Sequence, residues 1–286
     1  MANLKEIRNR IGSVSSTMQI TSAMKMVSAA KLKKAQDAIT AMRPYAEKLT
    51  YLLQDLSGSL DGDIAGKYSQ ERNVNNVLIV VITSNRGLCG AFNSNVLKEI
   101  NLLVERKYAD KKVDFLSIGK RGNDILRKSQ NIIRNDSNVF DNLTYDNVAD
   151  IAEYLMQLFA EAKYDIIEVV YNQFKNAATQ IVVKEQFLPI VPKKSKSNTS
   201  ADYIFEPSKD KIVLELIPKM LKTQLYKAIR DSFAAEHGAR MTAMHKATDN
   251  ATELRDQLKL TYNKARQAAI TGEILEIVGG AEALNG

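Results

Sequence analysis

From Met220 to Leu284 the chain contains no proline, and its apolar residues fall at helical spacing nearly throughout. Ala247, Ala251, Leu254, Leu258, Thr261, Ala265, Ala268 and Leu275 follow one another mostly at three- and four-residue steps. Such a heptad pattern belongs to a helix packed lengthwise on another helix. At a rise of 1.5 Å per residue this helix would run about 95 Å, far beyond the width of a compact domain. It needs a partner of similar length, and the other end of the chain supplies one.

Asn3 followed by Glu6 resembles a capping box and marks a helix start. Leu4, Ile7, Ile11, Val14 and Met18 keep the heptad rhythm, which resumes with Leu32, Ala35, Ile39, Met42, Ala46, Leu49, Leu53 and Leu56. Between the two blocks the same positions hold Thr21, Lys25 and Ser28, while the apolar stripe steps sideways to Ile20, Met24 and Val27. Two readings fit: an irregular coiled coil, or a segment Met24–Val27 that faces something other than the partner helix. Charge favours the second. No acidic residue stands between Glu6 and Asp37, whereas Arg8, Arg10, Lys25, Lys31, Lys33 and Lys34 are all basic. A one-signed stretch invites an anionic partner. No aromatic residue interleaves with these charges, which argues against single-stranded nucleic acid and leaves phosphate contact with a duplex open. Pro44 predicts a kink, and Gly58, Gly62 and Gly66 predict the end of the helix.

From residue 76 to about 190 the period changes. Val77–Ile82 is a continuous apolar run, the mark of a buried parallel strand. Val113–Ile118, Asn131–Arg134, Ile166–Tyr171 and Gln180–Phe187 read as further strands, with helices over Asn95–Tyr108, Gly122–Ser129 and Asp146–Ala162 between them. This alternation predicts an open α/β sheet. The predicted domains are an N-terminal coiled-coil helix over 1–58, the α/β domain over 75–190 and a C-terminal helix over 208–286. Pro189–Ala201 reads as an exposed loop, and Pro218 predicts a kink before the long helix proper.

The turn Thr83–Asn93 combines strand, glycines and helix, the usual cradle for a phosphate. Gly87 and Gly90 give G-x-x-G instead of G-x-G-x-x-G, and neither the Gly-Lys-Ser/Thr of a phosphate loop nor a ribose-reading acid accompanies them. A tight strand-to-helix turn is the simpler reading, with Cys89 a small packed residue; a nucleotide site is the alternative.

The 286 residues carry 45% hydrophobic residues and a net charge of +7, which describes a folded chain with a leaning toward acidic partners. The single cysteine, Cys89, excludes an intrachain disulfide framework. His237 and His245, eight positions apart, are too far apart for an i,i+4 metal pair and read as surface or interface residues. No apolar run reaches the length of a membrane span. The opening residues lack the pattern of a signal or transit peptide, and the expectation is a bacterial protein.

Several stretches resemble the gamma subunit of the F-type rotary ATP synthase, and the resemblance covers essentially the whole chain. They are Lys5-Glu6-Ile7-Arg8, Ile20-Thr21-Ser22-Ala23-Met24-Lys25-Met26-Val27, Lys33-Lys34-Ala35-Gln36, Arg43-Pro44-Tyr45-Ala46, Arg86-Gly87-Leu88-Cys89-Gly90 and Tyr203-Ile204-Phe205-Glu206-Pro207. Ala247-Thr248-Asp249-Asn250-Ala251 and Tyr262–Thr271 complete the set, and the last is specific on its own. The resemblance implies an α+β fold in which N- and C-terminal helices form a long antiparallel coiled coil with an inserted Rossmann-like α/β domain. It implies a central rotor shaft, one copy per complex, inside a ring of three alpha and three beta subunits. The α/β domain would sit at the foot and, with the epsilon subunit, join the shaft to the membrane c ring. Proton flow turns the shaft, which drives ATP synthesis or hydrolysis at the beta subunits. The chain itself would have no active site, cofactor, metal or nucleic acid, and would meet the membrane only through partners, at the cytoplasmic face of the bacterial inner membrane. By matching positions, Met24, Lys25, Arg240, Arg266, Gln267, Thr271 and Glu273 would contact beta, and Tyr203 and Glu206 the c ring. Past Ile270, the apolar Ile274, Leu275, Ile277 and Val278 would turn within a hydrophobic sleeve of other chains, with Gly272, Gly279 and Gly280 loosening the helix. The alternatives are a basic coiled-coil module for nucleic acid and a nucleotide-dependent enzyme using the Gly87–Gly90 turn.

Overall fold

A computed structural model of the chain describes residues 4–57, 66–70, 72–190 and 209–285. Two terminal helices, α1 (Leu4–Ser57) and, after the sheet, α6 (Lys209–Asn285), bracket the α/β elements. Between them come α2 (Gly66–Ser69), β1 (Asn76–Ile82), α3 (Phe92–Lys107), β2 (Lys112–Ile118), α4 (Lys120–Leu126) and β3 (Ile132–Asn135). A 3₁₀ turn at Ser137–Phe140, α5 (Tyr145–Ala160), β4 (Ile166–Phe174) and β5 (Gln180–Leu188) complete the order. The described residues fall into two compact units. One holds the described residues up to Ser28 and those from Met241 onward; the other is Ala29–Arg240.

The Ala29–Arg240 unit is built on a five-stranded sheet in the order β3-β2-β1-β4-β5. The pairs β1·β2, β1·β4 and β2·β3 are parallel, as crossover helices require. β5 instead returns antiparallel to β4, because only five residues separate the two strands. Side chains alternate across β1. Leu78, Val80 and Ile82 face α5 and the Ile217–Ile229 stretch of α6, whereas Val77, Ile79 and Val81 face α3. Both faces are covered, so the strand reads as an unbroken apolar run instead of an alternating one.

One expectation about α6 changes here. The helix does not start after Pro218 but runs through it from Lys209. Ile217, Leu221, Leu225 and Ile229 are all buried in the sheet core. Burying four such side chains at about 1.5–3 kcal/mol each outweighs the roughly 3 kcal/mol a proline costs a helix interior. Pro44 likewise lies inside continuous α1.

In the other unit α1 and α6 pack antiparallel. Thr248 Oγ1 lies 2.8 Å from Thr21 Oγ1, and farther along α6 Arg255 Nη1 lies 3.4 Å from Met18 Sδ, a residue earlier in α1. The seam on α1 does not step sideways. Thr21 and Ser28 are buried in register with the apolar blocks, and Ile20 (60% exposed), Met26 (65%) and Val27 (57%) point away from it. The polar seam positions are tolerated because their hydroxyls return to the helix backbone, Ser28 to the Met24 carbonyl at 2.7 Å and Thr21 to that of Met18 at 3.1 Å.

On α6 three positions of the predicted seam are displaced by one residue. Ala251, Leu258 and Ala265 turn inward as expected, but Leu254, Thr261, Ala268 and Leu275 are exposed. Arg255, Tyr262 and Ala269 are half-buried beside the first three, and Leu275 has no such replacement. The Arg255 guanidinium is satisfied at this half-buried position, by Met18 Sδ of α1 and by the Asp256 carboxylate. A reading of apolar periodicity therefore prefers the wrong neighbour. Thr21→Val should lower stability by about 1 kcal/mol in denaturant unfolding by leaving the Thr248 hydroxyl a partner short, and adding Thr248→Val should restore part of the loss. Additive losses would contradict the pairing.

Candidate functional site

Two places in the molecule concentrate the functional candidates. The first lies at the carboxyl ends of the parallel strands. The strand order turns at β1, whose neighbours β2 and β4 lead away on opposite sides, so the crevice beyond the ends of β1 and β4 is the position where open α/β sheets take ligands. The Thr83–Asn93 turn forms its wall.

Most of the polar groups of that turn are engaged within the unit. Thr83 N–H donates to the Ile118 carbonyl at 2.8 Å. Ser84 N–H donates to Asn93 Oδ1 at 3.0 Å, and Asn93 Nδ2 donates back to Ser84 Oγ at 2.8 Å. Leu88 and Gly90 sit in the left-handed region at φ 62° and 60°. Gly90 enters it freely, whereas Leu88 does so with its side chain 66% exposed. Cys89 is 1% exposed and packs with Phe92, Phe174, Ala235 and Ala239. Burial pushes its thiol up, outweighing the nearby Ser84 hydroxyl, so it rests as a neutral packed group.

The opposite wall is α6. Arg240 is 6% exposed. Its Nη2 donates to the carbonyls of Arg86 at 3.0 Å and Gly87 at 3.3 Å, and its Nη1 pairs with Glu236 Oε1 at 2.7 Å. The planar fork of an arginine reaches all three acceptors at once, which a lysine could not. Burial pushes the Glu236 carboxyl up against the opposing pull of Arg240 and, more weakly, Lys31. His237, read from the sequence as a surface or interface residue, is also buried, and its ring meets Phe233 edge-on at 4.5 Å. Burial, then the Arg240 and Lys31 charges, hold its pKa down to about 3. His245 is exposed, 3.3 Å from Asp249.

The second place is the surface of the helices. Met24 and Lys25 are half-buried beside the exposed Met26 and Val27. Arg266, Gln267, Thr271 and Glu273 are exposed on α6, interleaved with Ile270 (48% exposed), Ile274 (54%), Leu275 (66%), Ile277 (71%) and Val278 (50%). A helix end with five apolar residues exposed along one broad face differs from an ordinary solvated surface, which carries them singly. Arg240 stands apart from this group, committed to the turn. Tyr203 and Glu206 lie outside the described residues. Sequence reading missed Glu236 and the bond from Arg240 to the turn; the small residues Ala234, Ala235, Gly238 and Ala239 around them were the available signal of a close approach.

The family model described as ATP synthase matches residues 3–284. The ATP synthase gamma chain of Flavobacterium psychrophilum is 74% identical over the full length of both chains, and that of Flavobacterium johnsoniae 72%. The chain belongs to the ATP synthase gamma chain family. Its fold is also that of solved family structures. A chain of the Euglena gracilis mitochondrial ATP synthase rotor superposes with a TM-score of 0.65 at 20% identity, over 93% of this chain and 98% of that one. A chain of the Tetrahymena thermophila mitochondrial ATP synthase central stalk and c ring does so at 0.59 and 26%, over 80% and 99%. Among the described residues no helix of this gamma family member is long and apolar enough to cross a membrane.

Proposed function

We infer that this chain is the central rotor shaft of a bacterial ATP synthase and couples proton-driven turning of a membrane c ring to ATP synthesis or hydrolysis in a ring of alpha and beta subunits. Membership of the gamma chain family is the basis. The observation that carries the mechanical reading is the exposed end of α6, where Ile274, Leu275, Ile277 and Val278 find no cover among the described residues. A broad apolar face at the end of a helix suits a bearing that supplies its own apolar wall.

On this reading 1–58 and 208–286 form the shaft and 75–190 the foot. The acid-free stretch from Arg8 to Lys34 meets an acidic segment of beta, with Met24 and Lys25 at the contact. Arg266, Gln267, Thr271 and Glu273 grip beta loops, and Tyr203 and Glu206 meet the c ring together with the epsilon subunit. Arg240 contributes through the turn it holds. The bond chemistry of ATP belongs to beta; this chain contributes asymmetry and stiffness. The complex stands on the cytoplasmic face of the inner membrane with one copy of the chain.

The native mass of the purified complex tests the assembly: one copy per three beta subunits is expected, and any other ratio overturns it. A second expectation concerns the grip. Replacing both Arg266 and Gln267 by alanine should lower ATP synthesis in membrane vesicles about tenfold, the equivalent of roughly 1.4 kcal/mol, while leaving assembly intact. Synthesis at the unaltered rate would remove these two residues from the contact.

A further inference from the structure

We propose that the Ala235–Arg240 segment of α6 occupies the ligand crevice of the α/β domain as a ligand in cis, and that this socket is the joint through which torque passes between foot and shaft, with Arg240 as its positioning residue. The proposal rests on the rotor reading given above.

Three observations carry it, all within the Ala29–Arg240 unit. The first is place. In a doubly wound sheet the crevice at the strand reversal is the position where a mononucleotide or dinucleotide sits. Here Cys89 and Phe92 beyond β1 and Phe174 at the end of β4 close on Ala235 and Ala239 of the helix.

The second is chemistry. A phosphate cradle offers backbone N–H groups to an anion. This turn offers carbonyls to a cation, since Arg86 and Gly87 both accept from Arg240. Ser84 N–H, at the end of the strand, is already spent on Asn93. The polarity of the cradle is inverted, and the arginine is its occupant.

The third is fit. All six residues Ala235, Glu236, His237, Gly238, Ala239 and Arg240 are buried. At Gly238 an added Cβ would lie 3.2 Å from the Ala177 backbone and 3.3 Å from the Phe174 ring, tighter than ordinary packing. On the turn side Arg240 and Glu236 form an ion pair whose side chains are 7% and 9% exposed. A joint closed by packing on one side and, on the other, by the buried Arg240 bonds to the Arg86 and Gly87 carbonyls resists both sliding and rotation. The Glu236 pair lies within the helix and orients the guanidinium, and parting helix from turn leaves the guanidinium and both carbonyls short of buried partners, so the latch opens only at high cost.

The experiment uses assembled ATP synthase in inverted membrane vesicles and reads two quantities: the rate of trypsin cleavage after Arg86, and protons pumped per ATP hydrolysed. Arg240→Gln should speed cleavage at least about tenfold, because proteolysis follows the population in which the turn has opened, and should lower pumping per ATP several-fold. Arg240→Lys keeps the charge and loses the fork, and should fall between. Gly238→Val loosens the socket from the hairpin side without touching Arg240 and should change both quantities in the same direction. Wild-type values of both quantities in Arg240→Gln and Gly238→Val overturn the joint. So does a loss of pumping in Arg240→Gln while Gly238→Val keeps both quantities unaltered, since Arg240 would then act on another subunit. Where either variant does not assemble, Glu236→Gln decides on the same two readings. Failure of the rotor reading looks different: vesicles lacking the chain would pump normally.

Discussion

Gly119→Ala should destabilise the protein by about 4 kcal/mol or more, among the largest effects a single methyl can have. Gly119 lies between β2 and α4 with φ at 114°, outside the regions open to an L side chain. A Cβ built there would stand 2.1 Å from the Thr83 carbonyl oxygen and 2.6 Å from its carbon. These are backbone atoms, so no rotamer relieves the clash. Thr83 is tied in turn to Ile118 through its N–H at 2.8 Å, and its hydroxyl accepts from Gly122 N–H at 2.9 Å. Relief therefore requires the end of β1 to shift, carrying with it the turn that Arg240 holds. Urea unfolding of wild type and variant measures the loss, and a change below about 1 kcal/mol would show that the strand ends yield more easily than their packing indicates.

The second large effect is one of pH. His237 is held neutral in the folded chain with a pKa of about 3, against 6.5 when exposed. The folded value is depressed, so the unfolded chain binds the extra proton first as pH falls. The stabilising contribution is complete above pH 6.5 and is lost progressively as pH falls toward 3. At 1.36 kcal/mol per unit, about 3 kcal/mol should disappear between pH 7 and pH 4. Glu236, whose carboxyl burial pushes up, contributes with the opposite sign, and the positive charges facing the ring are those of Arg240 and Lys31. The measurement is therefore a difference: the stability of wild type minus that of His237→Phe, followed from pH 7 to pH 4. The difference should move against wild type as pH falls. A flat difference would mean that the ring is reached by water or protonated already.

Much of the fold was legible because it rests on periods that local chemistry imposes. The β1 run, the α5 amphipathic pattern and the heptads of α1 each recur at a spacing only one secondary structure satisfies. Legibility ended where two neighbouring residues competed for one buried position. Leu254 is the better hydrophobe, yet Arg255 faces the partner helix, because its guanidinium is satisfied there by Met18 Sδ and by the Asp256 carboxylate. Thr21 and Ser28 looked like a break in the seam for the same reason: their hydroxyls are satisfied by the carbonyls of their own helix, a solution invisible to a hydropathy pattern. Pro218 misled in the opposite direction, since its local cost is repaid by core residues on either side of it.

The functional surface divides along the same line. The sequence alone determined the two helices, the α/β insertion and the motifs that carry the family, because each is a run of adjacent residues or a short period. Only the tertiary structure decided that the strand-to-helix turn at Gly87–Gly90 is filled by the chain's own helix, and that Arg240 is committed to that turn instead of lying on the surface. The reason is separation. Arg240 and the carbonyls it binds lie 153 and 154 positions apart, and nothing local in either stretch encodes the other. Their meeting is fixed by the sheet order and by the small residues Ala235, Gly238 and Ala239, which let a helix come close enough for one arginine to span the gap.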